Sequence, residues 1–401
     1  MRQVSPAIEI APRAAGAARA AAAATRDLRL DFFRGLSLFF IFIDHIPENI
    51  LSYFTLHSIA FCDAAEVFIF ISGYTAALVY GGSLRRSGPL LAIAQIYRRV
   101  WQLYVAHVFL FVIFVAEVSY TLIAVQSPMY TEELGVGDFL NEPHIAIMHA
   151  LALQFQPPFL DILPLYIVLL ATFPLVLLAL EASPALTVLA SATLYVLTLW
   201  RGLALHTYPA NHAWFFNPLA WQFLFVIGAA CGHARARGIV PLPIPRWVMR
   251  GTVAVAAAIL LICLTWSAHW WYDPFPPLFL RLWSHTLDKT NLAPLRLLSF
   301  LALAGATLNF VKRDSAFLSW RAARPIIICG QNSLYIFCFG ILLSVLGHFV
   351  LSEIDAQVPM QIVVNLSGFA LMIGLATLIQ WFKTTSRRAV SSSAGATAAS
   401  E

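Results

Sequence analysis

Long apolar stretches recur along this chain so regularly that they settle its solvent before any motif is read. Runs of about 17 or more mostly apolar residues fall near 32–55, 59–80, 100–125, 160–181, 184–201, 214–231, 248–272, 292–311, 325–350 and 359–382. Each is long enough to cross a hydrocarbon core of ~30 Å. Only 11% of residues are charged, against roughly 25% in a soluble domain, so water is excluded as the main solvent. A bilayer core offers backbone N–H and C=O groups no partner, which leaves helices and closed barrels as the only spanning structures. Barrel strands are short and alternate in polarity, whereas these runs are long and continuous. The expected fold is all-α: a polytopic bundle of about ten transmembrane helices.

Ten crossings return the chain to its starting side, and the basic residues identify that side. Of 25 lysines and arginines, only Arg201, Arg281, Lys289 and Arg296 fall opposite. Positive charge is retained in the cytoplasm, so both termini are expected to be cytoplasmic. The net charge of +5 then answers to anionic lipids of the inner leaflet, and membrane lipids rather than nucleic acid are the expected partners. Residues 1–28 form an Ala- and Arg-rich arm that cannot bury a core and is expected to be disordered. The same is expected of the Thr/Ser/Ala/Gly tail 384–401, leaving 29–383 as the transmembrane domain.

Cys62, Cys231, Cys263, Cys329 and Cys338 are scattered through the expected spans without paired spacing. That argues against a disulfide framework or a metal site and for buried free thiols. Two segments on the sparsely charged side are long. One is 126–159, with Pro128, Pro143, Pro157 and Pro158, whose middle (His144 to Gln154) is expected to form a short helix at the membrane. The other, 272–291, follows Trp270 and Trp271 and carries Asp273, Arg281, His285 and Asp288. Such segments anchor helix ends at the interface, or receive a polar molecule from outside.

Ionisable residues inside a span are costly and mark function by default. The first span carries Arg29, Asp31 and Arg34, then Asp44 and His45. Helix rise puts His45 roughly 16 Å above Arg34, toward mid-bilayer. The second span carries Asp63 and Glu66, with Glu66 roughly 22 Å above Gly81 and thus at a similar depth. The expectation is a His45–Glu66 pair in which the carboxylate fixes the imidazole tautomer, with Asp44 as the other candidate for that role. Asp31 and Arg34, three apart, have a simpler reading as mutual neutralisation, and Arg98 and Arg99 as charge bias alone. The third span adds Gln102, Tyr104 and His107, the last roughly 12 Å above Arg99. Asp161 opens the fourth at the external mouth, followed by Tyr166, and Gly330-Gln331-Asn332-Ser333 makes part of the ninth small and polar. His206, His212, His285 and His348 carry no comparable pattern and read as structural.

The spacing Arg29-x-Asp31-x-x-Arg34-Gly35, then His45 after ten intervening residues, is similar to the Arg-x10-His signature of the type 3 membrane acyltransferases. Glu66, the apolar run after it and Ser72-Gly73-Tyr74 resemble that family's acidic residue and Ser-Gly-Phe/Tyr. Arg98-Arg99-Val100-Trp101-Gln102 looks like its Arg-Arg-x-x-Arg, with Gln102 where the last arginine stands. Within that superfamily the closer resemblance is to the OpgC family, membrane proteins that succinylate osmoregulated periplasmic glucans. It is carried by Leu30-Asp31-Phe32-Phe33-Arg34-Gly35, Phe42-Ile43-Asp44-His45-Ile46-Pro47 and Leu103-Tyr104-Val105-Ala106-His107. Leu160-Asp161-Ile162-Leu163-Pro164-Leu165-Tyr166 and Gly330-Gln331-Asn332-Ser333-Leu334 extend it, so that it runs from Arg26 to about Phe382.

The resemblance implies transfer of an acyl group, succinyl in the OpgC branch, from cytoplasmic acyl-CoA to a hydroxyl of a periplasmic glucan. It further implies a bacterial inner-membrane location, and acyl-CoA as a co-substrate in place of a permanently bound cofactor. On that basis Arg34, Arg98 and Arg99 are expected to hold the donor's phosphates, and Ser72 and Tyr74 to line its path. His45, with Glu66 and Asp44, is expected to take the acceptor's proton or to carry a transient acyl group. Asp161, His107 and Tyr166 are expected to receive the glucan. Two other functions compete: O-acylation of a different polysaccharide or lipid, and proton-coupled transport, which also uses mid-membrane His and carboxylates. Transporters are commonly built from repeats, and residues 200–401 hold no second copy of the Arg34–His45 pattern.

Overall fold

In lipid each apolar stretch has to satisfy its backbone within itself, and the computed structural model does so with helices throughout. It describes residues 27–125, 137–209, 213–239, 245–267 and 286–398. Among these no strand occurs, and the only paired extended backbone is an isolated bridge between His206 and Ala213. The protein is an all-α membrane helix bundle. In chain order its long helices are α1 (Leu28–Asp44), α2 (Ala64–Ser87), α3 (Pro89–Val125), α4 (Ile162–Ala182), α5 (Pro184–Arg201) and α6 (Pro218–Ala236). There follow α7 (Arg246–Ser267), α8 (Pro294–Phe310), α9 (Ala323–Gln331), α10 (Ser333–Glu353) and α11 (Val358–Ala398).

Seven of these, α2, α3, α4, α5, α7, α10 and α11, are long and apolar enough to cross a membrane. Shorter or less apolar helices, α1, α6 and α8, fall on the remaining expected stretches. The expected span 325–350 is broken at Asn332, whose side-chain amide donates to Ile328 O (3.0 Å) while Lys383 Nζ donates to its carbonyl (2.6 Å). A short amide side chain offers the backbone an alternative to the helical ladder. The expected short helix near His144 is present as Pro143–Leu151.

The first span ends eleven residues before its expected limit at 55, because α1 stops at Asp44. Pro47 has no N–H to continue the ladder, and Glu48 turns the chain with φ 55°. The segment then folds back over the bundle end as a 3-10 turn (Ile50–Phe54) and a one-turn helix (Leu56–Ile59). A reciprocal amide pair between Asn49 and Asn365 (3.0 and 2.9 Å) ties it down. His45 thus stands at a helix terminus beneath a loop, rather than midway along a continuous span.

At the other terminus, the tail expected to be disordered from 384 is helical as far as Ala398. Once a span has nucleated a helix, a proline-free Ser/Ala/Arg sequence extends it one hydrogen bond per residue. Residues 1–26, 126–136 and 268–285 lie outside the described residues, as do His212 and His285. So do the expectations for most of the N-terminal arm and for the Trp270 loop.

Burial separates a centre from a periphery. Within their apolar windows α2 and α4 are 56% buried and α10 61%, against 17% for α5, 11% for α7 and 22% for α11. Glycines let central backbones touch: a Cβ on Gly330 would lie 1.9 Å from Asp31 O, and one on Gly232 would lie 2.1 Å from Tyr74 O. Small residues at such crossings give dispersion contacts the close approach that lipid cannot outbid. Where α1 starts, Asp27 pairs with Arg29 and Arg313, and Glu181 with Arg85 and Arg237, which gathers a basic end. The cysteines are free thiols; Cys62, Cys263 and Cys329 are buried as expected, whereas Cys338 is half-buried and Cys231, which borders an apolar groove, is exposed.

Candidate active site

Two cavities lie along the centre of the bundle. Away from the basic end, beneath the folded-back loop, one of about 520 Å³ is lined by Asp44, His45, His57, Asp63, Asp161 and Lys289. Gln156, Phe159, Phe215 and Phe216 complete much of its wall. Toward the basic end a smaller one, about 140 Å³, is lined by Arg34, Ser72, Thr75, Arg99, Tyr166 and Ser333. Phe337 on α10 belongs to both walls. On the smaller side its ring lies 6.3 Å from that of Phe68, which lies 6.0 Å from Tyr166.

His45 owes its orientation to the end of α1. Ile41 O, one turn before the end of the helix, accepts from the His45 backbone N (3.1 Å) and, on its second lone pair, from His45 Nδ1 at 2.6 Å. A carbonyl oxygen can only accept, so Nδ1 carries the hydrogen, and the neutral ring keeps its lone pair on Nε2. The ring packs edge-on against Phe159 at 4.9 Å. Phe159 holds φ 76°, a left-handed conformation that costs about 1–3 kcal/mol and is typical of functional sites.

The expected pairing of His45 with Glu66 does not form. Glu66 is fully buried, with one oxygen accepting from Asp63 N (2.9 Å) and the other from Arg296 Nε (2.8 Å). Asp63 accepts in turn from Ala65 N (2.8 Å), closing a capping box at the start of α2. Arg296, a cation buried in α8, would be unpaired without these carboxylates, and it draws Glu66 away from the cavity. Asp44 does face the cavity, but its carboxylate accepts from Thr55 Oγ1 (2.7 Å). A backbone carbonyl, rather than either acid, therefore sets the His45 tautomer.

Asp161 lines the larger cavity as expected of an external mouth, and burial pushes its carboxyl up to about 6 against the pull of Lys289. Beside it, Gln156 Oε1 is buried with no hydrogen-bond partner among the described residues, which makes it an acceptor for a hydroxyl. Lys289 donates to Asp63 Oδ2 at 2.7 Å. Burial lowers the pKa of this ammonium, but Asp63 and Glu66 outweigh that effect and hold it above its ordinary value.

In the smaller cavity Arg34 donates to Thr75 Oγ1 (2.7 Å) and Ile71 O (3.3 Å). Arg99 donates to Gln102 Oε1 (3.3 Å), so the residue in the last motif position steadies its neighbour. Arg98 is exposed and lines neither cavity. Tyr74, two residues from Ser72 and roughly 200° around the helix, faces the outer apolar groove with Phe300 and Leu303. Tyr166 lines the smaller cavity instead of the acceptor mouth, since it lies one turn below Asp161. His107 is 1% exposed and lines neither cavity, and its ring nitrogens have no hydrogen-bond partner among the described residues.

Sequence reading did not single out His57, Gln156, Phe159, Lys289, Arg296 or Phe337. Lys289 and Arg296 were visible only as two of four basic residues on the side where such residues are scarce.

The model of a family described as OpgC protein matches residues 26–384 of the chain. No curated protein and no solved structure matches it.

Proposed function

Because the chain belongs to the OpgC family, which implies an acyltransferase-like activity in a membrane, we propose that it moves an acyl group from acyl-CoA to a glucan hydroxyl across the bilayer. The acyl group is succinyl, the donor arrives at the cytoplasmic face of the bacterial inner membrane, and the acceptor is periplasmic. The observation that carries this reading is the pair of cavities with Phe337 as their common wall, one holding Arg34 and Arg99 and the other His45.

In this reading the basic end is cytoplasmic. The polyanionic head of acyl-CoA meets Arg34 and Arg99, whose guanidinium groups make charge-assisted hydrogen bonds to phosphate. The slender arm of the donor threads the smaller cavity past Ser72 and presents its thioester beyond the rings of Phe68, Tyr166 and Phe337. The glucan enters the larger cavity from the other side. Asp161 and Gln156 accept hydrogen bonds from its hydroxyls, and Phe159, Phe215 and Phe216 offer apolar surface to its sugar rings.

His45 Nε2 then takes the proton of the attacking hydroxyl as its oxygen bonds to the thioester carbon. The carbon–sulfur bond breaks, and the leaving thiolate recovers a proton as free CoA. Since Nδ1–H is already committed to Ile41 O, the ring needs no change of tautomer to act. Asp44, beside His45 in the sequence, lines the same cavity and accepts from Thr55 Oγ1, which fixes the turn that carries the imidazole.

The test is mass spectrometry of periplasmic glucans from cells with the protein, without it, and with His45→Ala. Succinyl esters present only with the wild-type protein are expected. Unchanged ester content with a folded His45→Ala protein refutes the catalytic role, and glucans unaltered in all three strains refute the acceptor.

A further inference from the structure

We propose that Lys289 forms an anion subsite that takes the free carboxylate of a dicarboxylic acyl group, so that this residue selects the donor. The inference rests on the acyl-CoA reading above and deepens it.

Placing a lysine on the poorly charged side of a membrane protein runs against the charge bias that orients the chain, so this cation calls for a use. Its backbone is held firmly. Lys289 O accepts from Trp221 Nε1 (3.1 Å) and from Leu292 N (3.2 Å), and the adjoining Asp288 carboxylate accepts from Thr290 N (3.0 Å) and Asn291 N (3.1 Å). Its ammonium lies 5.2 and 5.7 Å from the ring centroids of Phe216 and Phe215. An aromatic wall both attracts the cation and keeps water from it.

The pairing of Lys289 leaves capacity to spare. Glu66 is satisfied by Arg296 and Asp63 N, and Asp63 Oδ2 accepts from Arg296 Nη2 (3.1 Å) as well as from Lys289. Asp63 therefore keeps a cationic partner if Lys289 turns elsewhere. An ammonium has three donors, and among the described residues Asp63 is its one hydrogen-bond acceptor. The side chain is 32% exposed and lines the cavity that holds His45. No other described lysine or arginine lines that cavity, whose further titratable groups are acids and histidines.

An acyl group delivered to His45 with a negative far end needs one opposing charge in this chamber, and Lys289 is placed to supply it. A neutral acyl group has no use for that charge. A role in stabilising the oxyanion at the thioester would instead serve every donor alike.

The experiment uses the purified full-length protein with succinyl-CoA and butyryl-CoA, donors that differ in whether the acyl group ends in a carboxylate. The readout is the ratio of their kcat/KM values for wild type, Lys289→Met and Lys289→Gln, with Lys289→Arg as the conservative variant. Wild type is expected to prefer succinyl-CoA, and the Met and Gln variants to lose about 10- to 100-fold of that preference, the range for a hydrogen bond to a charged group. Lys289→Arg is expected to keep more of it than either. Should one neutral variant fail to fold, the other against Lys289→Arg carries the comparison.

A succinyl/butyryl ratio that is unchanged while both rates fall together overturns the subsite and leaves the acyl-CoA reading intact. A wild type that prefers butyryl-CoA overturns both the subsite and the succinyl assignment and leaves only transfer from acyl-CoA standing. A wild type that uses neither donor overturns the acyl-CoA reading and the subsite with it.

Discussion

The two cavities are built in different ways. The smaller one is walled by helices alone, and six of its lining residues, Phe68, Ser72, Thr75, Ala76, Val79 and Tyr80, come from one face of α2 at helical spacing. The larger one is walled by helix ends and loops: the turn after α1, the segment before α4, the residues before α6 and the loop before α8. A regular helix can offer a narrow passage of fixed polarity. Bringing His45, Asp161 and Lys289 together takes segments more than a hundred residues apart. The difference teaches that the smaller cavity follows from the secondary structure, whereas the larger one depends on loops that must be clamped.

The largest expected effect separates chemistry from passage. His45→Ala is expected to lower kcat by about 10²- to 10⁴-fold while leaving the thermal midpoint of the solubilised protein near wild type. A comparable loss from Arg34→Met would mean that the two cavities do not divide the work as described.

The clamp comes next. Arg296→Met leaves Glu66 buried without its cation, and breaking such a pair costs about 3–5 kcal/mol. The thermal midpoint is expected to fall accordingly, and Glu66→Leu added to Arg296→Met to restore most of it. Full stability of the single variant would show that the wide chamber needs no ionic clamp.

Smaller effects are expected at the narrow end. Arg34→Met and Arg99→Met should each raise the KM for acyl-CoA about tenfold, as loss of a charge-assisted hydrogen bond does, with glucan KM unchanged. Equal shifts in both KM values would erase the distinction between the cavities.

The mildest effect is one of pH. Burial holds the Asp161 carboxyl at about 6, so it is charged at pH 7.5 and mostly protonated at pH 5. The carboxylate is the better acceptor, and the glucan KM is expected to rise about 3- to 10-fold as pH falls through 6. Arginine stays charged over this range, so the donor KM should stay level. Asp161→Asn should flatten the glucan profile, and a profile that keeps its slope in that variant would assign the dependence elsewhere.

Much of the bundle was legible because lipid leaves a backbone so few choices. Apolar length alone located most of the helices, whereas the Asp63–Glu66 capping box emerged only in the structure. Arg34, Ser72, Arg99, Asp44, His45 and Asp161 were named from sequence and line one cavity or the other. The same reasoning misplaced Tyr74, Tyr166, Glu66, Arg98 and His107. Helix rise gives a residue's depth, but rotation about the axis decides what it faces, and rotation is set by neighbours such as Gly232 against Tyr74 O.

By itself the sequence determined that the chain is helical and lives in a membrane, that most of its basic residues cluster between or beyond the apolar stretches, and that His45 lies roughly 16 Å along the first stretch from Arg34. These follow from local rules of composition, charge and period. Only the tertiary structure decided where the chain folds back after Pro47, that Ile41 O holds the His45 ring, that Arg296 claims Glu66, and that Lys289 faces the larger cavity. Each of those except the His45–Ile41 contact joins residues distant in sequence or turns on where a loop folds back. Even that local contact required α1 to stop where it does, and no periodicity along the chain records such an event.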